Sequence, residues 1–482
     1  MIKFDRHDPS ILWVASGNVG RGEGTYEHPF GSLEGALAIT VPGSTIVLKK
    51  GIFTGDVTFD ISGDFDNPIR IAAEADGEVI ISGACWFFYD VCDLVVTGFT
   101  FRDSPHGSVS IMGACLRNRF ADLEFINCGA GKSASCTLFF GGAGGSCNLV
   151  ENCRFERNAS NALRTPEKAT IGLMVGEGDR ANGAPITDHI IRRNRFVNYD
   201  YGILIGSDDA EAGQCGHIVE YNSVEDCSFE GILVKCGDTT VRGNLVVRCR
   251  INSIEIGAGT GSIIEANRLV DCGNGIAIYG ADHTVAGNCV VRCGNHAVHA
   301  CAGSTSPLRN ASLNLIIEGN TGVDCGTPSP GAERIAGVLI DAGTSCVVER
   351  NLFSGPGIPC AGAGISGSVL VADNLASHSC KAMNGVAPGD VTFTCSDGDD
   401  YSNESGYGAH GWMVLPEGFN PRQDALGESE GYTEALPEDA VNAEEFDEEV
   451  PDEASEEMEE SLDAKGENFE DFMGRLYNPD LE

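Results

Sequence analysis

Short runs of alternating apolar residues recur along most of the chain, and Gly and Asn separate them. Runs such as GILVK (231–235) and SIEIG (253–257) are rich in β-branched residues. Alternation of period two in pieces this short predicts strands and not helices. Between the runs a nine-residue phrase returns, for example as VRGNLVVRC (241–249) and IEANRLVDC (264–272). The chain is therefore expected to repeat one small unit of strands and turns.

The asparagine of this phrase sets the register of the repeat. An aliphatic residue stands three positions before each Asn, and the shortest gaps between Asn residues are 21 to 23 residues. Two or three short strands in a unit of this length predict an all-β solenoid, specifically a right-handed parallel β-helix of ten or more coils. Stacked coils would place each Asn beside its equivalents, in an asparagine ladder. The aligned residues are Asn152, Asn194, Asn222, Asn244, Asn267, Asn288, Asn320, Asn351 and Asn374.

A cysteine follows five of these asparagines at the fifth position. Coil spacing brings neighbouring cysteines near disulfide range, but a thiol acting as a small buried apolar group is the favoured interpretation. The chain holds 20 Cys without any C-x-x-C pair, which excludes a zinc ribbon. The cysteines of this column are Cys227, Cys249, Cys272, Cys293 and Cys325.

The ends of the chain differ from the repeat. Ser32 precedes an amphipathic stretch and predicts a capping helix over the first coil. Residues 428–463 carry 17 acids and no Lys or Arg, which predicts a disordered tether. Phe469, Phe472, Met473 and Leu476 then follow helical spacing, as in a docking peptide, although a tail that folds back on the body is an equal alternative. The predicted segments are an entry segment (1–30), the capping helix (31–40), the β-helix (41–395), a linker or cap (396–427), the tether (428–463) and a docking helix (464–482).

The net charge of −40 makes nucleic acid an unfavourable partner, because phosphates would be repelled. No stretch approaches the ~18 apolar residues of a membrane span. Residues 1–25 do not read as a signal peptide. With so many cysteines, the sequence as written predicts a cytoplasmic protein, or a secreted one if a leader has been removed.

Because the coils stack, the sequence predicts which side chains are neighbours on one face of a sheet. If the second and fourth residues of each run point inward, the third and fifth point outward. One group of outward residues is apolar and must be covered by an insertion loop, a partner or the tail helix: Phe139, Met174, Leu204 and Leu233. The other group is polar and flanked by Gly, as expected of a surface open to a ligand, although an ordinary solvated face is the alternative: Lys235, Glu255, Tyr279, His299 and Asp341. The last strand of this face is predicted at 364–368.

Two stretches resemble known families. The opening GTYEHPFGSLEGAL (24–37), followed by PGSTIVLKKGIF (42–53), resembles the entry of pectin-lyase-like β-helix proteins that act on acidic polysaccharides. FEGILVKCGDTTVRGN (229–244) resembles the calcium-dependent lyases typified by chondroitinase B and the alginate lyases. The resemblance implies that Lys235 is the general base and that Glu230 binds Ca²⁺.

This sequence departs from the lyase pattern at two positions. Ser228 stands where a second metal-binding Glu is expected, and Ile256 stands near the place of the Arg that assists the leaving group. Calcium would then need other oxygen ligands, and Tyr279 or His299 would have to act as the acid. The other candidate ligands lie in or next to the loop after GILIG: Asp200, Asp208, Asp209 and Glu211.

These residues predict a protein that recognises an anionic, uronate-containing polysaccharide and, if it is an enzyme, cleaves it by β-elimination. Glu255 and Asp341 would then bind substrate. One alternative is a glycoside hydrolase or epimerase on the same fold, for which GSDD (206–209) offers paired carboxylates. The other is a non-catalytic scaffold that binds a protein through its sheet face or C-terminal helix.

Overall fold

The computed structural model is a parallel β-helix in which three sheets run the length of the described chain. They contain 14, 14 and 12 strands, and all of their pairings are parallel. Consecutive coils stack about 4.8 Å apart, the spacing of strands in any sheet. The structure describes residues 4–17, 22–75, 77–129, 135–142, 144–158, 169–176, 186–206, 215–303, 311–326, 335–341, 344–354, 358–362, 369–372, 374–376 and 412–414.

Each coil passes through sheets A, B and C in turn. Sheet A consists of β1 (Ile11–Val14), β2 (Thr45–Leu48), β5 (Ile69–Ala73), β8 (Leu94–Thr97), β11 (Arg119–Ala121), β14 (Leu149–Glu151), β17 (Ile190–Arg192), β20 (Ile218–Glu220), β23 (Thr240–Arg242), β26 (Ile263–Glu265), β29 (Thr284–Ala286), β32 (Leu315–Glu318), β35 (Cys346–Glu349) and β38 (Val369–Ala372). Sheet B consists of β3 (Gly51–Phe53), β6 (Val79–Ser82), β9 (Thr100–Arg102), β12 (Glu124–Ile126), β15 (Arg154–Glu156), β18 (Arg195–Val197), β21 (Ser223–Glu225), β24 (Leu245–Val247), β27 (Arg268–Val270), β30 (Cys289–Val291), β33 (Thr321–Val323), β36 (Leu352–Ser354), β39 (Asn374–Ala376) and β40 (Trp412–Val414). Sheet C consists of β4 (Val57–Phe59), β7 (Trp86–Tyr89), β10 (Val109–Met112), β13 (Ser135–Gly141), β16 (Thr170–Val175), β19 (Tyr201–Ile205), β22 (Ile232–Val234), β25 (Asn252–Ile256), β28 (Asn274–Ile278), β31 (Val298–Ala300), β34 (Ile335–Ile340) and β37 (Ile358–Gly362).

The predicted asparagine ladder is present at the corner between sheets A and B. In one step of it, the Asn222 backbone N–H donates to Oδ1 of Asn244 at 2.9 Å, and Nδ2 of Asn244 donates to Oδ1 of Asn267 at 2.9 Å. The same bonds connect each neighbouring pair from Asn194 to Asn374. The ladder satisfies buried backbone groups that the turn removes from the sheets.

Asn152 was wrongly aligned with this ladder, because the residue at the ladder position of its coil is Cys153. The Cys153 backbone N–H donates to Oδ1 of Asn194, and Val150, not Leu149, pairs with Ile191. Asn152 instead has φ of 54°, as Gly243 immediately before Asn244 has φ of 61°. Asn tolerates this left-handed conformation better than most residues. An Asn can therefore stand at the position just before the ladder, where a sequence alignment mistakes it for the ladder Asn.

The interior holds further stacks of like residues. Phe101, Phe125, Phe155 and Phe196 lie ring on ring, with centroids 5.1, 4.6 and 4.4 Å apart. The predicted cysteine column is buried in the same core, and its members are thiols: Cys227, Cys249, Cys272, Cys293 and Cys325. The aromatic column thus lies within sheet B, where Phe196 pairs with Val224, whereas the thiol column follows the strands of that sheet in later coils.

The two ends of the chain show a helix and an additional strand. Helix α1 (Leu33–Leu37) lies within the predicted range, and the Ser32 hydroxyl accepts a hydrogen bond from the Gly35 N–H. Strand β40 pairs with β39 and lies inside the segment predicted to be a linker or cap. On sheet C, Ala361 of β37 pairs with Leu339, so the strand predicted at 364–368 begins six residues earlier, at Ile358. Within the described residues, no helix has the length and apolar character needed to cross a membrane.

Candidate functional site

Three columns of side chains line the outer face of sheet C. The first predicted column is confirmed by the strand register, which pairs Leu233 with Glu255, Glu255 with Ala277, and Ala277 with His299. Towards the N-terminus the same register places Phe139, Met174, Leu204 and Leu233 in one line. The apolar half and the polar half of the face therefore meet between Leu233 and Glu255.

The second predicted column contains Lys235. Backbone bonds of 2.7–2.9 Å join its coil to the next ones: Gly257 N to Val234 O, Tyr279 N to Ile256 O, Cys301 N to Ile278 O and Asp341 N to Ala300 O. Lys235, Gly257, Tyr279, Cys301 and Asp341 thus occupy equivalent positions of successive coils. At about 4.8 Å per coil, Lys235 and Asp341 lie about 19 Å apart along the helix axis.

Sequence reasoning missed a third column, formed by Glu230, Asn252, Asn274 and His296. Asn252 pairs with Asn274, and Asn252 and Glu255 are both outward although they lie three residues apart. The alternation fails because two successive residues face the core, as at Gly231, where an added Cβ would lie 2.5 Å from Val246 Cγ1. A signal was present in the sequence, since small residues recur at this position: Gly202, Gly231, Ser253, Gly275, Ala297 and Gly337.

Two buried carboxylates meet where the columns lie side by side. The Asn252 amide nitrogen lies 2.6 Å from Oε2 of Glu255 and 3.4 Å from Oε1 of Glu230, and it bridges the two. Asn252 itself accepts from Nδ2 of Asn274 at 2.7 Å. Glu230 is 8% exposed and Glu255 is 3% exposed, so the prediction that Glu255 lies on an open surface is wrong. Two neighbouring carboxylates offer the oxygen ligands that a hard cation such as Ca²⁺ prefers, which makes this pair a candidate cation site.

Gly257 creates a gap in the column between Lys235 and Tyr279. A Cβ at Gly257 would lie 3.5 Å from both Cγ of Lys235 and Oε1 of Glu255. The Lys235 stem therefore lies alongside the Glu255 carboxylate at the edge of this gap. A lysine and a tyrosine on either side of a gap can exchange protons with a molecule bound between them.

The far end of the polar half is a histidine–aspartate pair. Nε2 of His299 lies 2.8 Å from Oδ2 of Asp341, and the Ala302 N–H donates to the same oxygen at 3.2 Å. The ring of His296 packs edge-on against His299, with centroids 5.2 Å apart. Burial raises the pKa of Cys301 to about 12, against the effect of a hydrogen bond from Tyr279. The thiol of Cys301 therefore stays protonated.

The apolar half is buried, because each member of the stripe is at most 4% exposed and the side chains of the stripe pack against one another. At its N-terminal end lies a cavity of about 370 Å³. Phe87, His106 and Phe139 are among the residues that line it. Its aromatic walls lie on the same face as the polar columns.

The remaining predicted site residues do not join this cluster. Asp200 accepts from the Thr170 N–H and hydroxyl at 2.8 and 2.9 Å, so its carboxylate joins two neighbouring coils. The others lie outside the described residues: Asp208, Asp209, Glu211, Phe469, Phe472, Met473 and Leu476.

Solved structures with a similar architecture are polysaccharide lyases. The PL6 family alginate lyase AlyGC superposes with a TM-score of 0.58 at 18% identity, over 78% of this chain and 52% of that protein. The chain thus has the right-handed parallel β-helix fold that these structures share. A mannuronic acid specific polysaccharide family 6 lyase from human gut microbiota gives 0.53 at 18% identity, over 80% and 88% of the two chains. A PL6 family lyase from Pseudopedobacter saltans gives 0.52 at 15%, over 81% and 92%.

Sequence comparison adds one partial match. The profile of the family described as periplasmic copper-binding protein (NosD) matches residues 177–320. The chain spans about half of the length of AlyGC. No curated protein sequence matches the chain.

Proposed function

We propose that the protein binds an anionic, uronate-containing polysaccharide along the polar half of sheet C and cleaves it by β-elimination. The observation that carries the proposal is the gap at Gly257, which has Lys235 on one side, Tyr279 on the other and Glu255 next to it. The fold similarity to alginate lyases, one of them solved with a trisaccharide, supports the choice of substrate class.

Lys235 and Tyr279 supply the two proton transfers that the elimination needs. Neutral Lys235 takes the proton from C5 of the uronate, and the electron pair forms the C4–C5 double bond as the C4–O bond breaks. Tyr279 protonates the departing oxygen. His299, oriented by Asp341, binds the adjoining sugar hydroxyls, which leaves Tyr279 as the acid nearest the base.

Calcium is the cofactor that fits the acidic residues beside the gap. Glu230 and Glu255 offer oxygen ligands, which Ca²⁺ prefers, although fewer than the ~6–8 that it takes, so water or substrate must complete the shell. When bound, the ion would neutralise the uronate carboxylate and so acidify the C5 proton. Without such an ion, the carboxylates of Glu230 and Glu255 would repel an anionic substrate.

The test is to incubate the protein with polymannuronate, polyguluronate, pectate and chondroitin sulfates, with Ca²⁺ or with a chelator. Elimination appears as ultraviolet absorbance of the unsaturated ends, and binding is measured separately by affinity electrophoresis. Lys235→Ala should abolish elimination and retain binding. Lys50→Ala, which removes an exposed lysine paired with Glu78, is the matched control. Elimination by Lys235→Ala at the wild-type rate contradicts the proposal, whereas binding without elimination in the wild type identifies a non-catalytic binding module.

The family description favours a location outside the cytoplasm. NosD is described as periplasmic, which agrees with the secreted alternative and gives no support to the cytoplasmic one. Fractionation of cells that express the gene with its natural upstream region tests this.

A further inference from the structure

Three buried metal-ligating side chains converge at a corner that the proposed reaction does not use. The sulfurs of Cys215 and Cys236 and a ring nitrogen of His217 all lie within 4.8 Å of one another. Their exposed fractions are 8%, 0% and 1%. Cys215 and His217 precede β20, whereas Cys236 follows β22 in the next coil, so the cluster joins two coils. Both sulfurs are thiols.

The imidazole of His217 is held in one orientation. Its Nδ1 accepts a hydrogen bond of 3.1 Å from the His189 N–H, which leaves Nε2 as the ligand atom. Near Cys236, the Thr239 hydroxyl lies 3.3 Å from the sulfur and can donate to a thiolate. Hydrogen bonds of these two kinds position the ligands of many protein metal sites.

A second observation at this corner also indicates a ligand. His189 occupies the same position one coil earlier, and its ring centroid lies 5.3 Å from that of His217. Its Nδ1 accepts from the Asn148 N–H, but its Nε2 is buried and has no hydrogen-bond partner in the structure. A buried polar atom without a partner is unusual and costly. A cation bound next to His217 with an incomplete ligand shell would supply a partner for Nε2 of His189.

The donor set determines the class of ion. We propose that Cys215, His217 and Cys236 form a buried site for a thiophilic d¹⁰ cation, Zn²⁺ or Cu(I). Thiolate and imidazole ligands select these ions over Ca²⁺ or Mg²⁺. On binding, the two thiols release their protons to solvent and His217 binds as the neutral ring. The cysteine column lies elsewhere, after the strands of sheet B, where the Cys249 N–H donates to the sulfur of Cys272.

The experiment uses the full chain, reduced and freed of metal under anaerobic conditions. Co²⁺ serves as the spectroscopic probe for thiolate coordination, Zn²⁺ as its competitor, and Cu(I) is titrated against a chromogenic chelator. We expect one bound ion per chain, with Zn²⁺ and Cu(I) distinguished by the two titrations. X-ray absorption of the loaded wild type should show both sulfur and nitrogen ligands.

The variants keep the fold while they change the ligands. Asn118 and Asn148 hold the position of His217 in earlier coils, so His217→Asn preserves the hydrogen bond from the coil before it. His217→Asn and Cys215→Ser should each weaken binding at least about tenfold. The controls are His283→Asn, at the same corner position, and Cys293→Ser, in the cysteine column.

Three results would overturn the proposal. One is a reduced, folded wild type that binds neither Zn²⁺ nor Cu(I). Another is sulfur-only coordination in the absorption spectrum, which does not depend on any variant folding. The third is a disulfide between Cys215 and Cys236 in the protein as isolated from its native compartment, detected by mass spectrometry before any reductant is added.

Discussion

Replacing one asparagine of the ladder should destabilise the β-helix by several kcal/mol. Asn244 is 1% exposed and its side chain takes part in four hydrogen bonds: Nδ2 donates to Val219 O and Asn267 Oδ1, and Oδ1 accepts from the N–H and Nδ2 of Asn222. At about 1 kcal/mol for each bond, Asn244→Ala should lower the free energy of unfolding by about 4 kcal/mol. This is a large part of the ~5–15 kcal/mol that stabilises a typical domain.

Urea denaturation followed by far-ultraviolet circular dichroism measures this change. Asn152→Gly is the control, because Asn152 belongs to the same column in the sequence alignment but is exposed and has φ of 54°. Glycine accepts that conformation without strain, so the control should change stability by less than about 0.5 kcal/mol. Equal losses in the two variants would show that the hydrogen-bond argument is wrong and that the sequence alignment describes the ladder correctly.

Three further outcomes are expected. Phe155→Ala should lower the free energy of unfolding by about 3–5 kcal/mol, because the ring is fully buried between Phe125 and Phe196. Phe155→Leu should lower it less. A loss below about 1 kcal/mol for Phe155→Ala in urea denaturation contradicts this expectation. Burial lowers the pKa of His189 below its usual value of 6.5. Below pH 6.5 the unfolded chain therefore binds a proton at this residue that the folded chain does not bind. Stability should therefore fall as the pH drops below 6.5 and stay level above it as far as this group is concerned, and metal-free His189→Asn should lack that part of the loss. Tyr279→Phe should reduce kcat for elimination by about 10²–10⁴-fold with little change in substrate affinity, and an unchanged kcat removes Tyr279 from the acid role.

Much of the architecture and part of the site follow from the amino-acid sequence by itself. In a stack of parallel strands, residues one coil apart face the same surroundings, so the period of about 22 residues predicts which side chains are neighbours. On this basis Lys235, Tyr279 and Asp341 fall in one column, and Glu255 and His299 in the next, as the register has them. Their catalytic and binding roles stay predictions.

Only the tertiary structure decided features that depend on single-residue shifts and on burial. Cys153, and not Asn152, stands at the ladder position of its coil. The left-handed residue just before the ladder can also be an asparagine, and the repeat alone cannot distinguish such an asparagine from a ladder asparagine. Asn252 joins Glu230 and Glu255 because two inward residues in succession break the alternation of the strand.

Burial and contacts across corners are equally invisible in a periodic pattern. Periodicity assigns a residue to a face, but it does not reveal that Glu255 is only 3% exposed on that face. Cys215, His217 and Cys236 come together because a corner brings two coils into contact at positions that do not share a place in the repeat. The sequence thus determined the stacking, since the same backbone environment recurs in every coil, and the folded chain decided which of the stacked groups touch.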